Sequence, residues 1–310
     1  VADLHVPVFV LSGGDPLKRP DLFTLVEYAT MRGVRTSLTP SATPLLTHAA
    51  IAELQECGLA RLAVSLDGST AEIHDAFRGI PGSYELTLQA IRWAREFNLP
   101  VQINTTITRR NLEDFDPMVR LLESLDIVLW SVFFLVPTGR GQVDDLISGE
   151  ETEEVFAQLY ETSRHVKFDI KTTEAPHYRR YVARAQARER RLGFLLPFRK
   201  KTADGIGRAP RGINDAKGFA FISHLGDVFP SGFLPLAAGN IRRLPLAYIY
   251  RHSPLFRDLR DTSLLEGKCG ACEFREICGG SRARAFALTG NPLAEEPCCT
   301  YQPKAVTAAA

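Results

Sequence analysis

The sequence predicts an α/β chain: a parallel sheet or barrel over the first two-thirds, then a small cysteine-rich C-terminal domain. Three observations carry that expectation. Short β-branched runs alternate with segments of helical periodicity. Small, polar and glycine residues follow each run, and five of the six cysteines fall within the last 42 residues. With 310 residues, 45% of them hydrophobic and 24% charged, the chain has room for one large domain with an appendage and is too apolar to be disordered. Its net charge of +1 excludes a generally basic nucleic-acid binder and an acidic tail protein. The longest apolar run, residues 127–136, is too short to cross a bilayer. No charged-then-apolar leader opens the sequence, so a cytoplasmic location is expected. It begins with Val1 rather than Met, which points to a missing beginning.

Taken in order, the candidate strands are residues 7–11, 34–38, 60–66, 101–107 and 127–136. Between them, residues 21–31 place Leu22, Leu25, Val26 and Ala29 on one helical stripe, and residues 86–97 place Leu88, Ile91, Trp93 and Ala94 less cleanly. Gly33 is positioned to end the first helix, and Asn111 or Asp114 to cap the one carrying Met118, Leu121 and Leu122. Parallel neighbours need a crossover helix, and in such folds chemistry gathers at the C-terminal ends of the strands. There the sequence places Ser12-Gly13-Gly14-Asp15-Pro16, Thr39-Pro40-Ser41 and Ser65-Leu66-Asp67-Gly68. Asn104-Thr105-Thr106 lies on the fourth strand, and Pro137-Thr138-Gly139-Arg140-Gly141 ends the fifth. The rim so formed suits a polar ligand's contacts, although βα loops are polar in any α/β protein.

Charge is unevenly distributed. Residues 144–161 hold seven acidic side chains and no basic one, whereas residues 179–211 hold eleven Lys and Arg against Glu189 and Asp204. Either run serves as a solvated face. The basic run, with Phe194, Leu195 and Phe198 inside it, also suits an anionic, partly apolar substrate. Nothing resembles a nucleic-acid module.

Cys269-x2-Cys272-x5-Cys278, followed by Cys298-Cys299, is the most informative stretch. In a cytoplasmic chain this spacing argues for a metal or cluster rather than disulfides. Four thiolates suit zinc or an iron–sulfur cluster, and spacing leaves both open. Cys57, in a helical segment, is expected to be a buried core thiol.

The strand-end and cysteine motifs together resemble the radical S-adenosylmethionine (SAM) enzymes. Gly13-Gly14-Asp15-Pro16 is similar to that family's Gly-Gly-Glu-Pro motif, whose backbone holds the methionyl amino group of SAM. The turn with Ser65 and Asp67 resembles the ribose- and carboxylate-contacting segment. Thr39 and Ser41 fall where the family has polar contacts to the methionyl end, and Asn104 and Thr106 on the strand facing the cofactor. Residues 136–141 resemble the adenine-side strand end. The segments Gly226-Asp227-Val228-Phe229-Pro230, Gly239-Asn240-Ile241 and Cys269 to Gly280 resemble a SPASM-type extension, which holds auxiliary 4Fe–4S clusters. Residues 229–235 and 278–285 look most like the tetrapyrrole-modifying branch, with its haem d1 maturases and Fe-coproporphyrin decarboxylases of alternative haem synthesis.

The resemblance implies a partial (β/α)6 TIM-like barrel over 1–165, a basic connecting or substrate region over 166–217, an auxiliary-cluster domain over 218–303 and a disordered tail over 304–310. It implies an oxidoreductase-type enzyme that modifies its substrate through a 5′-deoxyadenosyl radical; no catalytic side chain is assigned. The favoured substrate is an anionic tetrapyrrole, and the electron donor a ferredoxin or flavodoxin, with no membrane or nucleic-acid partner. The family's Cys-x3-Cys-x2-Cys loop, which holds the SAM-cleaving 4Fe–4S cluster, belongs upstream of Gly13, where twelve residues stand without it. That cluster is therefore expected on a missing N-terminal segment. Ser231 stands where a SPASM cysteine is common, and Ser281 and Arg282 near another, so ligands remain for one auxiliary cluster. Cys269, Cys272 and Cys278 are three of these. Cys299 is preferred over Cys298 as the fourth, because Thr300-Tyr301-Gln302-Pro303 resembles the sequence after the family's terminal cysteine. Alternatives are a peptide maturase of the same superfamily, a non-catalytic or truncated iron–sulfur protein, and a zinc-stapled barrel hydrolase or aldolase. The last needs a catalytic His/Asp/Glu set at strand ends, and only His5, near the start of a strand, and Asp67 are near.

Overall fold

Five of the β-branched runs become strands, joined by a sixth that the pattern did not announce. The computed structural model describes residues 2–139, 141–192 and 213–304. Strands β1 (Phe9–Leu11), β2 (Thr36–Leu38), β3 (Arg61–Ser65), β4 (Val101–Ile107), β5 (Leu129–Phe134) and β6 (Asp169–Thr173) form one six-stranded sheet in chain order. β1 to β4 pair in parallel, with Leu11 opposite Leu38, Leu38 opposite Leu62 and Ser65 opposite Asn104. Helices α1 (Leu22–Met31), α2 (His48–Glu56), α3 (Ala71–Arg78), α4 (Ser83–Glu96), α5 (Phe115–Ser124), α6 (Gly149–His165) and α7 (His177–Arg191) follow the strands. This is the six-fold strand–helix alternation expected of a partial (β/α)6 barrel.

Local sequence explains most element ends. Leu62, Ala63 and Val64 of β3 are fully buried, as a central parallel strand covered on both faces requires. β4 alternates, burying Val101, Ile103, Thr105 and Ile107 while Gln102, Asn104 and Thr106 share the half-buried face. Buried Trp130 of β5 donates its indole N–H to Thr105 Oγ1 (2.9 Å), and Thr105 donates to the Leu66 carbonyl (2.7 Å). Gly33 follows α1 in the left-handed conformation, as expected.

Four details differ from expectation. Neither Asn111 nor Asp114 caps α5 through its side chain. Asn111 instead donates to the carbonyls of Asp67 and Thr106, and Asp114 accepts from the Ser69 amide and hydroxyl. Second, α4 begins at Ser83 rather than 86, because Asp75 accepts from the amides of Gly82 and Tyr84 and the Ser83 hydroxyl at 2.6–2.9 Å. Third, Cys57 is half-buried at the end of α2, not sealed in the core. Last, β6, Asp-Ile-Lys-Thr-Thr, is too polar to stand out as a strand.

The chain divides into two compact units. The first comprises described residues of Val1–Phe133 and Thr162–Lys171; the second comprises Phe134–Glu161 and described residues of 172–199 and 209–310. In the second unit β7 (Phe221–Ile222), β8 (Asp227–Phe229) and β9 (Gly239–Asn240) make a small antiparallel sheet. Helices α8 (Leu246–His252), α9 (Pro254–Arg260), α10 (Gly267–Ala271) and α11 (Arg282–Thr289) follow. Val228, Leu234, Ile249, Phe256 and Ala283 pack into one core there. Among the described residues no helix is long and apolar enough to cross a membrane.

Candidate cofactor sites

In the first unit the strand-end residues lie on neighbouring strands and are linked to one another. The Thr39 amide donates to the Leu11 carbonyl (2.9 Å), and Thr43 Oγ1 to Asp15 Oδ2 (3.0 Å), joining the loops after β1 and β2. Asp15 also accepts from the Leu17 amide and so caps the turn that begins at buried Pro16. Gly13 and Gly14 sit at φ +84° and +53°, a region costly for side chains, with open space where a Cβ would stand. Neither glycine amide donates to a backbone carbonyl among the described residues, which leaves successive N–H groups for a ligand. Ser41 is exposed, while Thr39, Ser65, Asn104 and Thr106 are half-buried.

Asp67 behaves differently. Its carboxylate is fully buried, accepts the Thr106 amide (2.7 Å) and pairs with Arg78 (2.6 Å). Its amide donates to His74 Nδ1 (3.0 Å). Desolvation, helped by Arg78, pushes His74 down to about 4, so at neutral pH the ring is neutral and its Nδ1 is free to accept. The Asp67 carboxylate is thus turned inward, and the residue shapes the turn instead of presenting an acceptor to a ligand. Arg78, His74, Ser69, Asn111 and Asp114, which hold this turn, carry no motif that sequence reading would select.

The second unit gathers the cysteines. Cys269, Cys272, Cys278 and Cys299 line one cavity, together with His177, Arg180, Lys268, Arg275, Glu296 and Tyr301. Cys298 does not line it; its Sγ lies 4.0 Å from the Ile147 carbonyl. Backbone amides of Glu296, Phe274 and Gly280 donate to the sulfurs of Cys269 (3.3 Å), Cys272 (3.4 Å) and Cys278 (3.4 Å), and the Tyr301 amide serves Cys299. Burial pushes the Cys278 thiol up to about 12, so thiols rather than bare thiolates occupy this cavity until a metal displaces the protons. Zinc sits about 2.3 Å from each thiolate. Among the described residues no three His, Cys, Asp or Glu side chains stand close enough to share a single ion. The donor set is four sulfurs on one cavity, each with an N–H donor, an all-thiol set that suits an iron–sulfur cluster or zinc.

Around the cavity a buried polar network fixes the chain. Arg284 and Glu296, both almost fully buried, pair at 2.9 Å. Arg284 also donates to the carbonyls of Phe134, Leu135 and Glu174. Desolvation would raise Glu296, but Arg284 holds it down to about 2. Asp215 accepts the first amides of α11, and Ser281 Oγ donates to Glu174 (2.5 Å) at the end of β6. The basic run is partly absorbed here. Arg179 donates to the carbonyls of Ile213 and Ile277, Arg180 pairs with Glu153, and Arg184 lies over the Tyr301 ring. Residues 193–212, with Phe194, Leu195 and Phe198, lie outside the described residues, as do Arg140 and 305–310.

Comparison with known proteins gives the chain's relatives. Residues 1–122 match the family model described as Radical SAM superfamily. The chain is 44% identical over 303 residues to the AdoMet-dependent heme synthase of Methanosarcina barkeri, covering 98% of this chain and 85% of that protein. It is 40% identical over 309 residues to the AdoMet-dependent heme synthase of Nitratidesulfovibrio vulgaris, covering 98% and 82%. In fold it is similar to Streptococcus suis SuiB bound to S-adenosylmethionine, with a TM-score of 0.70 at 16% identity over 97% of this chain and 68% of that one. SAM and a 4Fe–4S cluster are the cofactors that go with this family. The fold, the strand-end glycines and these full-length similarities lead to one conclusion: the chain belongs to the radical SAM superfamily of enzymes.

Proposed function

We propose that the chain is a radical SAM enzyme that modifies an anionic tetrapyrrole of the haem series, with one auxiliary 4Fe–4S cluster on Cys269, Cys272, Cys278 and Cys299. The observation that carries the substrate is the 44% identity, over 98% of the chain, to a relative named AdoMet-dependent heme synthase. Four sulfurs on one cavity, each met by a backbone amide, support the auxiliary cluster.

Bound SAM would supply hydrogen-abstracting radical chemistry. Everything else is positioning by this chain. The Gly13 and Gly14 amides meet the methionyl end, with Asp15 holding their loop against Thr43. Thr39 and Ser41 supply further polar contacts there, and Ser65, Asn104 and Thr106 offer hydroxyl and amide groups along the ribose edge. Asp67 keeps that edge in shape through Arg78 and Thr106. Arg188, Arg190 and Arg191, exposed at the end of α7, supply cations for substrate carboxylates. A small ferredoxin- or flavodoxin-like protein is the electron donor.

The test is an anaerobic absorption titration of the reconstituted chain with Fe-coproporphyrin III and with its tetramethyl ester. Saturable binding of the acid, weakened at least about tenfold in the ester (about 1.4 kcal/mol), is the expected result. Equal binding of the two, or preference for an acidic peptide over the porphyrin, overturns the substrate assignment.

A further inference from the structure

A histidine that the cysteine motif does not include lies against the same cavity. His177, the first residue of α7, is fully buried, and neither ring nitrogen has a hydrogen-bond partner among the described residues. Buried polar groups are almost always paired, so two orphaned nitrogens on one ring call for an explanation. The ring is held edge-on by Phe156, with centroids 4.8 Å apart and planes at 68°, and it lines the cavity beside Cys269, Cys272, Cys278 and Cys299. Every other charged or hydroxyl side chain lining that cavity has at least one partner, although Arg180 Nε is left unpaired among the described residues. Arg180 pairs with Glu153, Lys268 donates to the Cys299 carbonyl, and Arg275 donates to the Gly270 carbonyl. Glu296 pairs with Arg284, and Tyr301 donates to Glu273.

We propose that His177 is a positioning residue for the cysteine-bound cluster, donating a ring N–H to one of its sulfur atoms and favouring its reduced form. The inference rests on the reading that the four cysteines hold an iron–sulfur cluster. A cluster that gains an electron becomes more negative at sulfur, so a fixed N–H donor stabilises the reduced form more than the oxidised one. Such outer hydrogen bonds orient a metal site and tune its potential. Phe156 fixes the ring from one side, and the unpartnered nitrogens leave its hydrogen-bonding capacity for the cavity's occupant.

The experiment uses the 310-residue chain, reconstituted anaerobically, as wild type, His177→Phe and His177→Gln. Iron and labile sulfide are counted in each, and the cluster is titrated electrochemically under EPR. Phe keeps a ring against Phe156 but removes the donor, whereas Gln restores an N–H. The Phe variant should hold the same iron and titrate at a more negative potential. At the wild-type midpoint its reduced-to-oxidised ratio should fall about tenfold, about 59 mV for a one-electron couple. Gln should return most of that shift. A fully loaded Phe variant with an unchanged midpoint overturns the role of His177 and leaves the cluster assignment standing. A wild-type chain that binds no iron and sulfide overturns both. Independently of any substitution, ENDOR on the reduced wild-type protein labelled with 15N-histidine should show a weakly coupled ring nitrogen. Its absence from a loaded sample overturns the proposal.

Discussion

Glu174 closes β6 with a left-handed backbone (φ +57°), a conformation non-glycine residues rarely hold without support. The support is visible: Ser281 Oγ donates to its carboxylate, and Arg284 donates to its carbonyl (2.8 Å). Burial first, then repulsion from Asp215, pushes the Glu174 carboxyl up to about 8 from an ordinary 4.5, against the opposing effects of Ser281 and Arg284. In the folded chain the group therefore keeps its proton between pH 4.5 and about 8 while the unfolded chain releases it. Its contribution to stability is fully present below 4.5 and is lost as pH rises through about 8. Glu174→Gln, which cannot ionise, should be about as stable as wild type at pH 4.5, gain on it up to about pH 8 and level off above that, as read by denaturant unfolding across that range. A gap that stays constant with pH contradicts the assignment. Arg284 makes a second prediction of the same kind. Replacing it with Met leaves the buried Glu296 carboxylate without its 2.9 Å partner. Breaking a buried pair from one side costs about 3–5 kcal/mol. Arg284→Met should therefore lower unfolding stability by about that much, and Arg284→Met with Glu296→Gln should recover part of it.

At the scale of elements, α4 shows what caps do when the sequence does not advertise them. Its N-cap is Gly82, in the left-handed conformation and without a side chain to offer, yet three donors at its start are satisfied by Asp75 from α3. Losing a capping carboxylate costs about 0.5–2 kcal/mol. Asp75→Ala should fall in or slightly above that range, measured by thermal or denaturant unfolding, whereas Asp75→Asn should keep most of the stability. The same pair of helices marks the limit of sequence reading. Strands β2 to β5 were legible because buried strands read as apolar, β-branched-rich runs, and β1 by the same composition although its Val10 is exposed. β6 and α3 were not: β6 buries no residue and exposes Lys171 at its centre, and α3 is only eight residues long, too short for Ile73, Ala76 and Phe77 to repeat as a stripe. Candidate site residues follow the same division. Gly13 and Gly14 stand out because positive φ demands glycine, and Cys269, Cys272 and Cys278 because thiol spacing is chemically restrictive. Asp67 was legible as a strand-end carboxylate, but its inward orientation depends on Arg78 and His74 across a turn. His177, Glu174 and Arg284 are single residues whose partners lie far away in sequence, so no local pattern signals them.

For the whole molecule, both compact units have an apolar core, but the part of the second unit around the cysteines is held by different means, and that difference is measurable. The first unit carries a conventional apolar interior, with Leu38, Leu54, Leu62, Val64, Ile91 and Ile103 all fully buried. In the second, around the cysteines, the interior is polar: Arg282, Arg284, Glu296 and Asp215 are all nearly or fully buried. The segment from α10 to Tyr301 is joined largely by amide–sulfur contacts and charged pairs rather than by a strand or a long helix. With the cysteines as thiols, Cys278 pushed up to about 12 by desolvation, the four sulfurs are tied to the chain around them by single amide donors and not to one another. A cluster bound there is a cross-link among four points of one unit, and its binding free energy becomes folding free energy for that unit alone. Removing it with chelator under oxidising conditions should therefore raise amide hydrogen exchange at residues 265–301 and in α7, by about tenfold or more wherever local opening replaces global unfolding. Exchange in β1 to β4 should stay within about twofold of the loaded protein, since the apolar strands of the first unit owe nothing to the cysteines. Equal loss of protection in both units would mean that the metal holds the whole chain together. No loss in either would mean that the charged network around Arg284 and Glu296 suffices to hold the cysteines in place without it.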